Sequence, residues 1–265
     1  MIFENITSIV IPEGTVQSIA IGNTILWEAM KRMEWTQSNV TSGKFVAVAY
    51  GNGLWVAGSY SDKGLYYSTD GQTWTQSNIT RDTFQTVAYA NGFWVAGSSS
   101  GKGIYYSTDG QTWTQSNITS GSFNAVAYAN GICVAGSNST RGLYYSTDGQ
   151  TWTQSNITSI SFDSVAYGNG LWVAGSNPNG LYYSADGHTW AQSSIKNGEF
   201  RTVAYGNGLF VAGSYSDKGL HYSTDGQTWA QSNITRGYFD SVVYVNGLWV
   251  AGSTVGLYYS NSASS

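Results

Sequence analysis

Six side chains each follow a phenylalanine in a repeated F-x-x-V-A/V-Y phrase: Val46, Gln85, Asn124, Asp163, Arg201 and Asp240. Nearly everything around them is copied from one repeat to the next, but these six differ. Two carboxylates, one guanidinium and two amides at equivalent positions are chemistry for holding a polyhydroxylated molecule, with acceptors and donors of mixed sign. Asp163 and Asp240 are also a possible carboxylate pair for glycoside hydrolysis, and simple polar lining is the alternative reading of both. Tyr60, Tyr215 and Tyr238 lie in neighbouring variable stretches and add aromatic faces on which a sugar ring could stack.

The elements that must position these residues are legible from the repeat. The stretch YYSTDGQTW stands at 66–74, 105–113 and 144–152, with close variants at 182–190 and 221–229. Its tryptophan recurs at Trp74, Trp113, Trp152, Trp190 and Trp229, and a further one, Trp35, precedes them at the same spacing of 38 or 39 residues. Each unit reads as four short apolar or alternating runs, strands A to D, bounded by turn residues. Asn-Gly joins A to B and Asp-Gly joins C to D, both suited to tight hairpins. The spacing predicts an all-β, six-bladed β-propeller of four-stranded antiparallel blades. Strands A to C occur six times and end in GLYYS at 256–260, whereas WTQSN at 35–39 reads as a D strand with nothing before it. We therefore expect strand 35–39 to complete the last blade, which would leave no free sheet edges.

On this reading residues 1–30 form a small N-terminal β segment, 31–34 a linker and 35–265 the propeller. ITSIVIPEGTVQSIAIGNTILWE at 6–28 reads as three short strands with turns at Pro12-Glu13-Gly14 and Gly22-Asn23. A sheet that small is marginal alone, so it is expected to pack on the propeller, on copies of itself or on a larger assembly.

In an up-and-down blade the D–A and B–C connections emerge on one side, and these are the parts that vary. Nine of the 11 Lys and Arg fall there: Lys44, Lys63, Arg81, Lys102, Arg141, Lys196, Arg201, Lys218 and Arg236. Lys31 and Arg32 are the other two. Asp62, Asp82, Asp163, Glu199, Asp217 and Asp240 also lie there, so nine positive less six negative charges leave this side at +3. A side where copies diverge and charges collect is a candidate binding surface; solvated, drifting loops are the competing explanation. The candidate ligand-binding set is Gln85, Asn124, Asp163, Arg201, Asp240, Tyr60, Lys63, Lys102, Arg141, Tyr215, Lys218 and Tyr238. Binding repeated in the clefts between blades is the alternative location.

Composition removes other classes. A net charge of -4 argues against a nucleic-acid binder. No run approaches the ~20 apolar residues of a membrane helix. The first residues lack the pattern of a signal peptide, so synthesis in the cytoplasm without one is expected. The single Cys133 replaces the tryptophan of strand B, so a core position is expected and no disulfide framework is possible. His188 and His221 are isolated, so no metal site is expected, and neither is a cofactor. The Asn-x-Ser/Thr sequons at Asn39, Asn78, Asn117, Asn156 and Asn233 recur because the repeat recurs.

S-T-D-G-x-T-W resembles the Asp box of sialidases and many other propellers, with one residue fewer between Asp and Gly. Such blades, preceded by AYGNGLWVAGS, are similar to repeats of phage tail and bacterial surface proteins; the likeness covers residues 35–260. It implies that the Asp boxes are architecture, lying away from the ligand face. The N-terminal stretch resembles segments that precede functional modules in tail proteins of phages and prophages. Together these resemblances imply a tail or surface component, on the virion or outside the cell, that recognises a cell-surface glycan or receptor. Homo-oligomers or tail assembly would run through residues 1–30. A sialidase would further need an arginine cluster and a Tyr–Glu pair. Here Arg201 is the sole arginine of the six positions, and Glu199 is the sole glutamate of the repeats. A non-enzyme is therefore expected, with a spacer that binds nothing as the rival.

Overall fold

The computed structural model describes residues 18–21, 24–28 and 36–261. The chain separates into two compact units, 1–37 and 38–265, which we describe separately. In the first, Ser18–Ile21 and Thr24–Glu28 form an antiparallel pair with a bulge after Ile19. The expected first strand and the turn at Pro12-Glu13-Gly14 lie outside the described residues.

The second unit is six consecutive antiparallel sheets, with no helix among the described residues. Five are four-stranded meanders. Blade 3 is typical, with A at Phe123–Ala129, B at Ile132–Ser137, C at Leu143–Ser146 and D at Thr153–Gln154. The A strands of the other blades are Phe45–Gly51, Phe84–Tyr89, Ser161–Gly168, Phe200–Gly206 and Phe239–Val245, and from blade 1 to blade 6 each packs beside the one that follows it in the chain. The Asn-Gly turns adopt the left-handed conformations that the dipeptide tolerates, with φ of 49° at Asn130 and 81° at Gly131.

The five Asp boxes share one hydrogen-bond scheme. In blade 2, Ser107 Oγ donates to Asp109 Oδ1 at 2.9 Å, which also accepts the backbone N–H of Gln111 and Thr112 at 2.8 and 2.7 Å. These donors favour the ionised carboxylate. In blade 1 the backbone N–H of Thr73, then that of Gln72, holds Asp70 down to about 2. The contribution of that turn is therefore complete above about pH 4 and is lost as pH falls toward 2.

Adjacent blades are joined by the tryptophan and asparagine of the repeat. Trp113, Trp152 and Trp190 are buried, each donating its indole N–H to the glycine carbonyl of its own Asp box. The backbone N–H of Trp113 donates to Asn78 of the preceding blade at 2.8 Å, and the Asn78 amide donates back to the Trp113 carbonyl at 2.9 Å. Asn117 and Asn156 do the same for Trp152 and Trp190, so these sequon asparagines are structural clasps. Glycine is required where blades nest: a Cβ on Gly97 would lie 2.5 Å from the Phe123 carbonyl oxygen of the next blade.

The sixth sheet has three strands, Phe239–Val245, Leu248–Ser253 and Gly256–Asn261. The expected fourth, at 35–39, turns on Trp35, which lies outside the described residues; residues 36–40 carry no strand. Asn39 nevertheless exchanges the same two hydrogen bonds with Trp74, at 2.7 and 2.9 Å. Between blades 5 and 6 the walls that enclose tryptophan elsewhere recur: Leu209, Val211 and Leu220 on one side, Trp249 and Ala251 on the other, around about 270 Å³. Phe45 of blade 1 is 37% exposed, whereas its five counterparts are at 0%.

Cys133 is fully buried, and burial pushes its thiol up to about 12, which makes it inert. Its environment shows how the copy tolerates a small residue. In blades 2 and 4 the strand-B tryptophan lies over the Asp-box glycine, near Gly110 and Gly187. In blade 3, Phe93 of the preceding blade occupies that space above Gly149. Cys133→Trp should therefore cost about 2 kcal/mol through overpacking. Adding Phe93→Leu, the residue of most other copies, should recover most of it, as read by urea unfolding.

His221 stands where other copies have tyrosine, edge-on to Phe200 at 5.4 Å. Burial, with a lesser contribution from Lys218, pushes its pKa down to about 4. The unfolded chain binds this proton below about pH 6.5 and the folded chain does not, so stability falls as pH is lowered through that interval. His221→Tyr should remove a loss of about 2 kcal/mol between pH 7 and pH 4.5, measured as the difference between the two proteins' chemical denaturation at each pH.

Candidate binding site at the variable mouth

The residue after each repeat phenylalanine sits at a β-bulge. In all six blades the A–B ladder slips between the phenylalanine and the residue two beyond it, for example between Phe162 and Ser164. The extra residue is left out of the ladder, and a bulge of this kind re-aims a side chain. In blades 2 to 6 the phenylalanine stays in the core while its neighbour is released toward the mouth.

Gln85, Asn124, Asp163, Arg201 and Asp240 then line one cavity of about 530 Å³, together with Tyr60, Asn138 and Asn177. Tyr60 belongs to blade 1 and Asp240 to blade 6, so the cavity draws on both ends of the series. No residue of an Asn-Gly turn or an Asp box lines it. Val46, the apolar copy of the post-phenylalanine position, is not among the lining residues and is exposed.

Asn138 and Asn177 were not singled out from the sequence. They share one repeat position, directly after Gly-Ser in strand B, with Tyr60 and Tyr215. That position reads Tyr60, Ser99, Asn138, Asn177, Tyr215 and Thr254, so it diverges as much as the post-phenylalanine one. Divergence at a second fixed register was the available signal.

Arg201 organises one side of the mouth. Its Nε donates to Glu199 Oε1 at 2.6 Å and its Nη1 to Asp240 Oδ1 at 3.3 Å. Its guanidinium lies over the Tyr215 ring, 3.3 Å from the centroid, and Tyr215 meets Tyr238 edge-on at 5.5 Å. Burial works against the charge of Arg201, but Glu199 and then Asp240 hold its pKa above the ordinary value. On the other side, the Asn138 amide donates to Asp163 Oδ1 at 2.7 Å. Burial pushes the Asp163 carboxyl above the usual carboxylate range, against the pull of Arg201 and a hydrogen bond from Asn124. Asn124 Oδ1 is buried and has no partner.

The four loop cations of the candidate set do not line the cavity. Lys63 Nζ donates to Ser42 Oγ at 2.7 Å, Arg141 Nη1 to Ser120 Oγ at 3.0 Å and Lys218 Nζ to Asn197. Each ties a B–C loop to a D–A connection. Lys102 Nζ is 4.0 Å from Asp82 Oδ1. Asp82 itself is buried at φ 149°, where four other copies have Gly43, Gly121, Gly198 and Gly237, also at positive φ. It accepts hydrogen bonds from Ser98 Oγ and Ser100 Oγ. These contacts place both kinds of variable loop on one side of the blades. No group of three His, Cys, Asp or Glu able to hold a metal occurs among the described residues.

No family model matches the chain, and no curated protein does. Solved structures do. The extracellular domain of BT4673 from B. thetaiotaomicron is similar at a TM-score of 0.64 and 16% identity, over 86% of this chain and 33% of that one. YCF48 bound to D1 peptide is similar at 0.58 and 18%, over 82% and 76%. The GH74 xyloglucanase from Xanthomonas campestris is similar at 0.61 and 13%, over 82% and 45%. The chain thus spans about a third of the first of these and under half of the last. All three are β-propeller proteins, and at such identities the likeness is one of fold: this chain is an all-β propeller of six blades.

Proposed function

We propose that the protein is a non-catalytic recognition module that binds a cell-surface carbohydrate at the polar mouth, as a component of a phage or prophage tail. The observation that carries this is the convergence of Gln85, Asn124, Asp163, Arg201 and Asp240, five diverged copies of one repeat position, on a single cavity. Its volume lies within the range of small-molecule sites, and its lining is rich in the acceptors and donors that sugar hydroxyls use. Tyr60 adds an aromatic side chain to the lining, whereas Tyr215 lies under Arg201 and, like Tyr238, does not line the cavity. Shallow hydrogen bonding of this kind is weak per site, so several copies held together through residues 1–30 would raise the avidity. That an extracellular domain and a xyloglucanase share the fold is consistent with a carbohydrate role and supports it only by analogy.

A glycan array probed with the purified protein tests the proposal. Reproducible binding to a related set of glycans is the expected result. Silence across the array would favour the rival, a structural propeller that binds nothing.

A second reading rests on Asp163. It lines the same cavity as the Arg-paired Asp240, and its carboxyl lies above the usual range, so two carboxyls in different settings face one space. A glycoside hydrolase would turn over the bound glycan and lose that turnover in Asp163→Asn. Binding without turnover favours the lectin.

A further inference from the structure

We infer that the mouth takes one uncharged saccharide per chain, its hydroxyls held by the carboxylates and amides that line the cavity. This rests on the carbohydrate reading above and narrows it.

The first ground is that the sixfold pattern is broken in an ordered way. Tyr60, Arg201 and Asp240 come from blades 1, 5 and 6, at the two ends of the series. The amides Gln85, Asn124, Asn138 and Asn177 come from blades 2, 3 and 4. A ligand repeated around the axis would meet six similar settings; this mouth offers one side that carries the Arg201–Asp240 ion pair and one side of amides. The clefts between blades do not offer an equivalent set of sites, because Trp113, Trp152 and Trp190 fill them, at 2%, 3% and 3% exposure.

The second ground is charge. Arg201 is the one cation among the residues lining the cavity, and it is already engaged by Glu199 and Asp240. With Asp163, three carboxylates face one guanidinium, which leaves this cluster at -2. An incoming carboxylate, sulfate or phosphate would approach uncompensated negative charge and would have to displace an existing ion pair. A hydroxyl has the opposite relation to the same groups: the carboxylates of Asp163 and Asp240 accept its hydrogen.

The test is isothermal titration with a matched pair: a neutral oligosaccharide chosen from the array, and its uronic-acid counterpart with one CH2OH oxidised to carboxylate. The neutral member should bind one per chain and at least about tenfold more tightly. In the Asp163→Asn/Asp240→Asn double variant that preference should collapse toward equality, since the repulsion is removed. Equal or tighter binding of the acid by the unmodified protein would overturn the charge inference and leave the carbohydrate site standing. A stoichiometry near five or six would overturn the single-site inference. Failure of both sugars to bind would remove this inference together with the reading beneath it.

Discussion

Phe162→Ala should lower the free energy of unfolding by about 3–5 kcal/mol. Phe162 is at 0% exposure, packs edge-on against Tyr182 at 5.3 Å, and lies in the cluster that holds Trp172 and Trp190. It also closes a blade interface, since a Cβ on Gly136 of the preceding blade would lie 3.0 Å from its Cβ. Truncation thus opens a hole that two backbones close to each other cannot collapse to fill. Phe45→Ala is the paired comparison. Phe45 has the same intrablade contact, with Tyr66 at 5.3 Å, but is 37% exposed, and Gly252 of blade 6 does not abut it. Its loss should be smaller, about 1–2 kcal/mol. Urea unfolding measures both. A Phe45 loss equal to that of Phe162 would show that another face covers it in solution.

Arg201→Ala combined with Asn124→Ala should weaken glycan binding by on the order of 100-fold while leaving the melting temperature nearly unchanged. Each side chain supplies one or two hydrogen bonds to the mouth, and removing one typically costs about 1–1.5 kcal/mol of binding. Arg201 does more than donate. It holds Asp240 and Glu199 in place and stacks on Tyr215, so its removal releases the tyrosine side as well. Stability should survive because the bulge residue is outside the A–B ladder and the cluster is partly exposed. A titration and a melt on the same preparation separate the two effects. Weakened binding accompanied by a large melting shift would mean that the mouth had been damaged as a structure.

The blades were legible in the sequence because their boundaries are written in residues with few conformational options. Asn-Gly fixes the A–B hairpins, whereas Asp-Gly does not form the tight C–D hairpin expected: six residues, such as 147–152, separate those strands, and the serine, aspartate and tryptophan of the Asp box hold them. The variable positions were legible because six copies in one chain act as their own comparison. The bulge was not, since no glycine or proline marks it; it shows only as a slip in register, and it is what turns Gln85 or Asp163 into the mouth. The loop cations were chosen on sign and location. Lys63, Arg141 and Lys218 have chains long enough to reach back to the adjacent connection, where serine and asparagine oxygens lie nearer than the axis. Asn138 and Asn177 were overlooked because their register is shared with small polar residues that look like ordinary loop starts.

Backbone amide chemical-shift mapping with the best array glycan is the most direct test of the central claim, that diverged repeat positions form one binding mouth. The account predicts shifts confined to the post-phenylalanine bulges and the residues after Gly-Ser, with Asp163, Arg201 and Asp240 among the most affected. Shifts concentrated in the Asp boxes, or spread equally along the interfaces between blades, would contradict it.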